Sequence, residues 1–259
     1  LTSTSIKAIP QLDHIPHIQV IIPYKDQKKL TLDAIEALLK QTDVKLDIWA
    51  VDNNSEDKSI ANELRQLNVH VLEVNEPFNY SRLNNLAAKK SKAPYISFVN
   101  NDAILASNAL YEMVRWASQA RIGCVGSLLT YPNGLVQHGG VKLDQEEALE
   151  NQMNWIHLDC LSPLPSMNKK LKIVDAVTAA ASVMKREHFE AIGGFDEIAY
   201  PIAYSDTRLA CQLKNKGLLS LFTPYATGVH HESISRKDKA IEDFDRSVFL
   251  HEFVAKFKP

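Results

Sequence analysis

Short apolar, β-branched runs alternate with helix-patterned segments through the first hundred residues, and this alternation confines the chain to a small set of folds. Ile18-Gln19-Val20-Ile21-Ile22 reads as a buried strand halted by Pro23, and Leu46 to Val51 as a second halted by Asp52-Asn53-Asn54. Between them Leu32, Ile35, Leu38 and Leu39 recur at three and four residues, the spacing that puts side chains on one helix face. Ser55 is placed to cap a further helix with Ile60, Leu64 and Leu67 as its buried stripe. Val69 to Val74 and Tyr95 to Val99 complete four strands. Strand and helix in strict alternation predict an α/β fold, a parallel sheet with helices on both faces.

Ligands of open parallel sheets bind outside the carboxyl ends of the strands. Those ends carry Pro23-Tyr24, Asp52-Asn53-Asn54 and Asn100-Asn101-Asp102, one polar rim drawn from three segments. No G-x-G-x-x-G or G-x-x-x-x-G-K follows a strand, so neither the usual dinucleotide turn nor a P-loop is present. A bound phosphate therefore needs another counter-charge, which a divalent cation on Asp102 would supply. Each rim residue also has a plain structural reading. Asn and Asp are favoured in turns, Asp52 can lead a helix with Ser55, and Tyr24 can be ordinary packing.

The second half is less regular. Gly123 to Leu129 and Val136 to Val141 read as strands around a Tyr131-Pro132-Asn133-Gly134 turn. Residues 145 to 172 read as a long polar loop of the kind that is functional or mobile. Ile173 to Met184 follows as one strand-like run, Ser205-Asp206 opens a helix through Leu213, and Leu218 to Val229 is extended.

The chain has 259 residues, 45% apolar and 23% charged, enough to bury a large core. A formal charge of -2 argues against broad nucleic-acid affinity. Cys124, Cys160 and Cys211 are widely spaced, without metal-ligand spacing, and read as reduced core thiols of a cytoplasmic protein. No run approaches the roughly 20 apolar residues that span a bilayer. The chain opens on Leu1 with a Ser/Thr-rich lead, the pattern expected of a domain cut from something longer.

The ordered pieces IIPYKDQ, VDNNSED, FNYSRLNN, FVNNDA, VGSLLTYPNG, VQHGGV, VTAAASVMKREHFEAIGGFDE, a single Asp206 before a helix, and TPYATGVHHESISR resemble the inverting family 2 glycosyltransferases. They are most similar to the bacterial enzymes that build cell-surface polysaccharides, rhamnosyl-type enzymes among them. The resemblance implies a GT-A fold: a Rossmann-like, mostly parallel central sheet flanked by helices, with a smaller acceptor-side sheet. It implies an N-terminal lead or linker over 1–16 and one domain over 17–236. Within that domain 17–105 is the nucleotide-binding half and 106–236 the acceptor half, and 237–259 is a helical tail that can continue into a longer protein.

The resemblance also distributes roles. Asp102 closes the DxD-type motif and would hold a divalent cation, Mn2+ or Mg2+, with Asn101 on the ribose and Asn100 replacing the motif's first acid. Asp52 would read the ring N–H of uracil or thymine, with Asn79 and Asn84 lining the base pocket and Pro23 and Tyr24 as its floor. Asp206 is the candidate general base of a direct displacement, against a reading as a helix N-terminal acid. Arg208 stands where the family has a second acid, and Gln212 where it often has Arg. His230 would complete the metal's coordination or touch diphosphate, against a structural reading. Arg236 has a fork suited to phosphate or is a surface charge. Asp196 lies on the acceptor side, beside the turn-forming Gly193 and Gly194.

These expectations describe a metal-dependent hexosyltransferase-type enzyme using a nucleotide-diphosphate sugar, UDP-linked, on an oligosaccharide or lipid-linked acceptor. The setting expected is the cytoplasmic face of the membrane, with peripheral membrane association, further domains in the full-length protein, and no nucleic acid. Two alternatives stand beside it. One is a dTDP-rhamnose-using rhamnosyltransferase of the same fold; the other is a catalytically silent nucleotide- or glycan-binding module of a multidomain synthase.

Overall fold

The computed structural model describes residues 9–144, 154–167 and 169–231. The first half is a repeated strand-helix unit: β1 (His17–Tyr24), α1 (Lys28–Leu39), β2 (Lys45–Asp52), α2 (Ser59–Gln66), β3 (His70–Glu73), α3 (Tyr80–Ala88) and β4 (Tyr95–Val99). β1 lies between β4 and β2, with β3 outside β2, and all these pairings are parallel. Pro23 does not halt β1, which runs on to Tyr24 opposite Asp52. Pairing with β4 ends at Ile21, so the proline's missing N–H falls where the ladder on that side has already stopped.

Two local expectations change. Leu39 is 47% exposed, and the buried face of α1 is Thr31, Ala34, Ile35 and Leu38. Ser55 does not cap α2, whose N-cap is Lys58. Its hydroxyl instead accepts from the Asp26 N–H at 2.8 Å, joining the loops after β1 and β2.

The second half adds β5 (Ala103–Leu105), α4 (Ala109–Ala117), β6 (Ile122–Thr130), β7 (Val136–His138), β8 (Val141–Asp144) and β9 (Asn154–His157). It continues with β10 (Lys172–Val174), β11 (Ala181–Lys185), α5 (Arg186–Ala191), α6 (Ser205–Asn215) and β12 (Leu219–His230). The run over 173–184 is two strands rather than one, and Val136 to Val141 is likewise split between β7 and β8. Among the described residues the main sheet is mixed, in the order β10-β12-β6-β11-β4-β1-β2-β3, and β8 and β9 form a separate pair. β11 inserts antiparallel between β4 and β6. The turn between β6 and β7 forms as expected, with Gly134 at φ 82 and its N–H on the Tyr131 carbonyl.

Two cores cover the sheet. On one face Ile18, Val20 and Ile22 pack with Ile35, Leu38, Leu64 and Met113 from α1, α2 and α4. On the other, Ile21, Ile96 and Phe98 meet Leu83, Phe189 and Leu209 from α3, α5 and α6. Every β1 residue from Ile18 is buried because both faces are covered. No helix among the described residues is long and apolar enough to cross a membrane. Cys124 is buried, which pushes its thiol up to about 12, but Cys160 is exposed, so it is not a core thiol.

Arg186 ties the halves together. Its guanidinium donates to the carbonyls of Ala93 at 2.6 Å and Ala88 at 2.7 Å and to Gln19 Oε1 at 2.6 Å. Arg186→Met leaves three buried acceptors unpaired, at about 1–3 kcal/mol each before relaxation. A loss of about 3 kcal/mol or more in urea unfolding is expected on that basis. A loss under about 1 kcal/mol would show that water replaces the guanidinium freely.

Candidate active site

Parallel register brings the polar ends of β4, β1 and β2 side by side. Asp52 is 1% exposed, and its Oδ1 accepts from the Ser55 N–H at 2.8 Å. Asn53 fixes the same turn from the other side, donating to the carbonyls of Glu76 at 2.9 Å and Val74 at 3.3 Å. Tyr24 lies opposite Asp52, 3% exposed, and its hydroxyl has no hydrogen-bond partner among the described residues. Burial first, then the Asp52 charge, pushes that phenol well above its ordinary range. Pro23 is buried beside it in the same strand.

The turn after β4 meets the end of β12. β5 pairs antiparallel with β12, so Ala103 faces His230, and the Asp102 carbonyl accepts from the His231 N–H at 3.0 Å. Asp102 is 2% and His230 7% exposed, and Asp102 Oδ1 lies 3.0 Å from His230 Nε2. Asp102 Oδ2 is buried with no partner among the described residues. Asn100 Nδ2 sits 3.3 Å from the same Nε2, so the amide in place of the motif's first acid can donate where a carboxylate could not. Gln137 Oε1 lies 2.7 Å from His230 Nδ1. His138, the next residue, is held neutral because burial, then His157 and His230, push it down to about 3. Asn101 turns toward α1, donating to Thr31 Oγ1 at 3.1 Å.

Asp206 approaches the same turn from α6. Its Oδ2 accepts from the Ala179 N–H at 3.2 Å and its Oδ1 from the Thr207 N–H at 2.7 Å. The next carbonyl along, that of Ala180, accepts from the Asn100 N–H at 3.0 Å. One two-residue stretch thus connects Asp206 to the Asn100–Asp102 turn. Tyr80 donates to the Ala179 carbonyl at 3.3 Å, its phenol kept protonated by burial and the Asp206 charge. Arg208 lies 6.0 Å from the centre of the buried Tyr200 ring, and Gln212 Nε2 reaches the Ile192 carbonyl at 3.5 Å.

Other expected site residues make hydrogen bonds to the backbone around them. Asn79 caps α3, accepting from the Arg82 N–H at 2.8 Å, and its Nδ2 donates to the Glu197 carbonyl at 2.9 Å. Asn84 is fully buried and back-bonds to the Tyr80 carbonyl at 2.8 Å. Asp196 caps the following turn by accepting from the Ala199 N–H at 3.0 Å. FNYSRLNN and GGFDE therefore clasp each other, with Asn85 also donating to the Phe195 carbonyl at 2.8 Å. Arg236 lies outside the described residues. Gln137 was not foreseen; its signal was a polar Gln-His pair inside an otherwise apolar run before two glycines.

The fold matches known GT-A structures. It superposes on GalNAc-T7 solved with UDP, GalNAc and Mn2+ at a TM-score of 0.70 and 16% identity, covering 87% of this chain and 47% of that one. It superposes on the Pyrobaculum calidifontis mannosyltransferase PcManGT, solved with GDP-Man and Mn2+, at 0.65 and 14%, covering 98% and 79%. In sequence the chain is 34% identical to the uncharacterized protein y4gI of Sinorhizobium fredii over 242 residues, 90% of this chain and 26% of that protein. It is 31% identical to the O-antigen biosynthesis protein RfbC of Myxococcus xanthus, covering 89% and 18%. Both are far longer than this chain. The O-antigen chain rhamnosyltransferase RfbN of Salmonella typhimurium is 24% identical, covering 90% and 72%. Residues 19–192 match the family described as Glycosyl transferase family 2, and with its GT-A architecture the chain belongs to that family.

Proposed function

We propose that this domain is a metal-dependent, inverting glycosyltransferase that moves a sugar from a UDP-linked donor to a growing bacterial surface glycan or glycolipid. The observation that carries this is the buried Asp102–His230 pair, whose second carboxylate oxygen has no partner among the described residues, connected to Asp206 through Ala179 and Ala180. Among the described residues no three His, Cys, Asp or Glu side chains gather into a metal cage. That fits a cation held by one or two side chains and completed by substrate phosphates and water. Asp102 Oδ1 and His230 Nε2, 3.0 Å apart, are close enough that both would hold one cation. Asp102 and His230 are thus the residues that would hold Mn2+ or Mg2+, whose charge offsets the diphosphate as it leaves.

The protein's own groups carry the rest. Asp52 accepts from the base above the Pro23-Tyr24 floor, with Asn84 behind it and Asn101 at the ribose. The acceptor hydroxyl attacks the anomeric carbon from the face opposite the diphosphate. As the new C–O bond forms the C–O bond to diphosphate breaks, and Asp206 takes the hydroxyl proton. Residues 17–105 form the nucleotide half and 106–236 the acceptor half, with Asp196 near the acceptor and Arg236 on phosphate. A lipid-linked acceptor places the reaction at the cytoplasmic membrane face, within a longer protein.

A second reading, a dTDP-rhamnose donor, is supported by the similarity to RfbN; thymine offers Asp52 the same edge as uracil. Incubation with Mn2+ and a panel of UDP-, dTDP- and GDP-sugars tests both. Slow hydrolysis of a UDP-sugar supports the first reading, and preference for dTDP-rhamnose the second. Nucleotide binding without turnover, even with glycan acceptors, would instead identify a silent binding module.

A further inference from the structure

Gln137 has no role in the chemistry above, yet its side chain is buried against the ring of His230. β7 pairs with β6 through Leu129 opposite His138 and Thr130 opposite Val136, which makes Gln137 the extra residue of a β-bulge. Bulges re-aim a side chain and recur beside active sites. Here the bulge directs an amide that is 9% exposed onto His230 Nδ1, with Oε1 2.7 Å away.

An amide oxygen can only accept, so this bond requires the proton on Nδ1. In a neutral imidazole the lone pair then sits on Nε2. Asn100 Nδ2, a donor 3.3 Å from Nε2, fits the same tautomer. In that tautomer the lone pair lies 3.0 Å from the Asp102 carboxylate, which by itself favours a proton on Nε2. The Gln137 and Asn100 amides act against it and set two electron-rich groups in one buried place. Such a pair is a donor set for a cation, and metal-binding histidines are commonly oriented by a partner on the other ring nitrogen. The Gln137 Nε2 is buried with no partner among the described residues, an exception that calls for a functional reason.

We infer that Gln137 is a positioning residue that holds His230 in the Nδ1–H tautomer, so that Nε2 stands beside Asp102 as a paired donor to a divalent cation. The inference rests on the metal-dependent reading above. Its test uses Gln137→Leu, which cannot accept, and Gln137→Glu, which can. The histidine tautomer is read by ¹⁵N NMR of the metal-free protein, with the His230 signal assigned by its loss in His230→Ala. Mn2+ affinity is read by calorimetry with UDP present.

The wild type is expected to show Nδ1–H at His230. Gln137→Leu should lose that tautomer and bind Mn2+ about 10–100-fold more weakly, as removal of an orienting partner typically does. Gln137→Glu should restore both. A wild-type His230 protonated on Nε2 overturns the inference, as does a Leu variant with unchanged tautomer or unchanged Mn2+ affinity. A wild type that binds no Mn2+ with UDP present overturns the metal reading and the cation role together. Normal wild-type binding with an indifferent Leu variant overturns the role of Gln137 alone.

Discussion

Asp206→Asn is expected to lower sugar transfer by about 10²–10⁴-fold, the range a positioned general base contributes, while nucleotide affinity stays at the wild-type level. The carboxylate accepts from the N–H groups of Ala179 and Thr207. Asn keeps the size and one oxygen acceptor and leaves one of these N–H groups facing an amide donor, at about 1–3 kcal/mol, and its amide nitrogen cannot take a proton from an acceptor hydroxyl. Losing the charge in the first turn of α6 costs about 0.3–1 kcal/mol of dipole interaction, too little to unfold the domain. Single-turnover transfer measured beside UDP binding separates the two roles. Equal loss of both would show that Asp206 serves the structure and not the chemistry.

Asp102→Ala should be the most damaging substitution to metal-supported nucleotide binding. A cation on a diphosphate is worth several kcal/mol, so losing about 4 kcal/mol corresponds to roughly 1000-fold in affinity and in donor hydrolysis. The metal-free fold should respond in the opposite sense. Oδ2 is buried without a partner among the described residues, and removing an unsatisfied polar group relieves a cost that the fold otherwise bears. Urea unfolding of metal-free Asp102→Ala should therefore show stability at least equal to wild type. Loss of function at no cost in stability is the pattern of a residue kept for its ligand. A marked drop in stability would mean that the contact with His230 is a structural ion pair.

Much of this architecture was legible because periodicity is local. Tyr95 to Val99 was delimited from composition and matches β4 at both ends. The paired faces of α1 and α2 followed from three- and four-residue spacing, although Leu39 and Leu67 proved exposed where each helix ends. Pro23 was misread as a stop because a proline's effect depends on which neighbouring strand would have needed its N–H. The break inside 173–184 was missed for a related reason. A continuous apolar run does not reveal that its two ends pair with different partners, β12 and β4.

The site divides along the same line. The order of motifs along the chain, through the family resemblance it carries, named Asp52, Asn101, Asp102, Asp206 and His230 as candidates. The structure gathers Asp102 with His230, and Asp206 within a short hydrogen-bonded link of them. It also shows Asn79 and Asp196 engaged in capping turns, which sequence order could not distinguish from ligand contacts.

Sequence by itself determined the strand-helix alternation, the polar strand ends and the family, since each is written in neighbouring residues or in motif order. Tertiary structure alone decided that Gln137 meets His230, 93 positions apart, and that Asn100 reaches the same ring from 130 positions away. Those meetings depend on a bulge in β7 and on the antiparallel pairing of β5 with β12. The second is settled by long-range hydrogen bonding across the sheet and the first by a register shift within the β6–β7 hairpin, and neither leaves a periodic trace in the residues that take part.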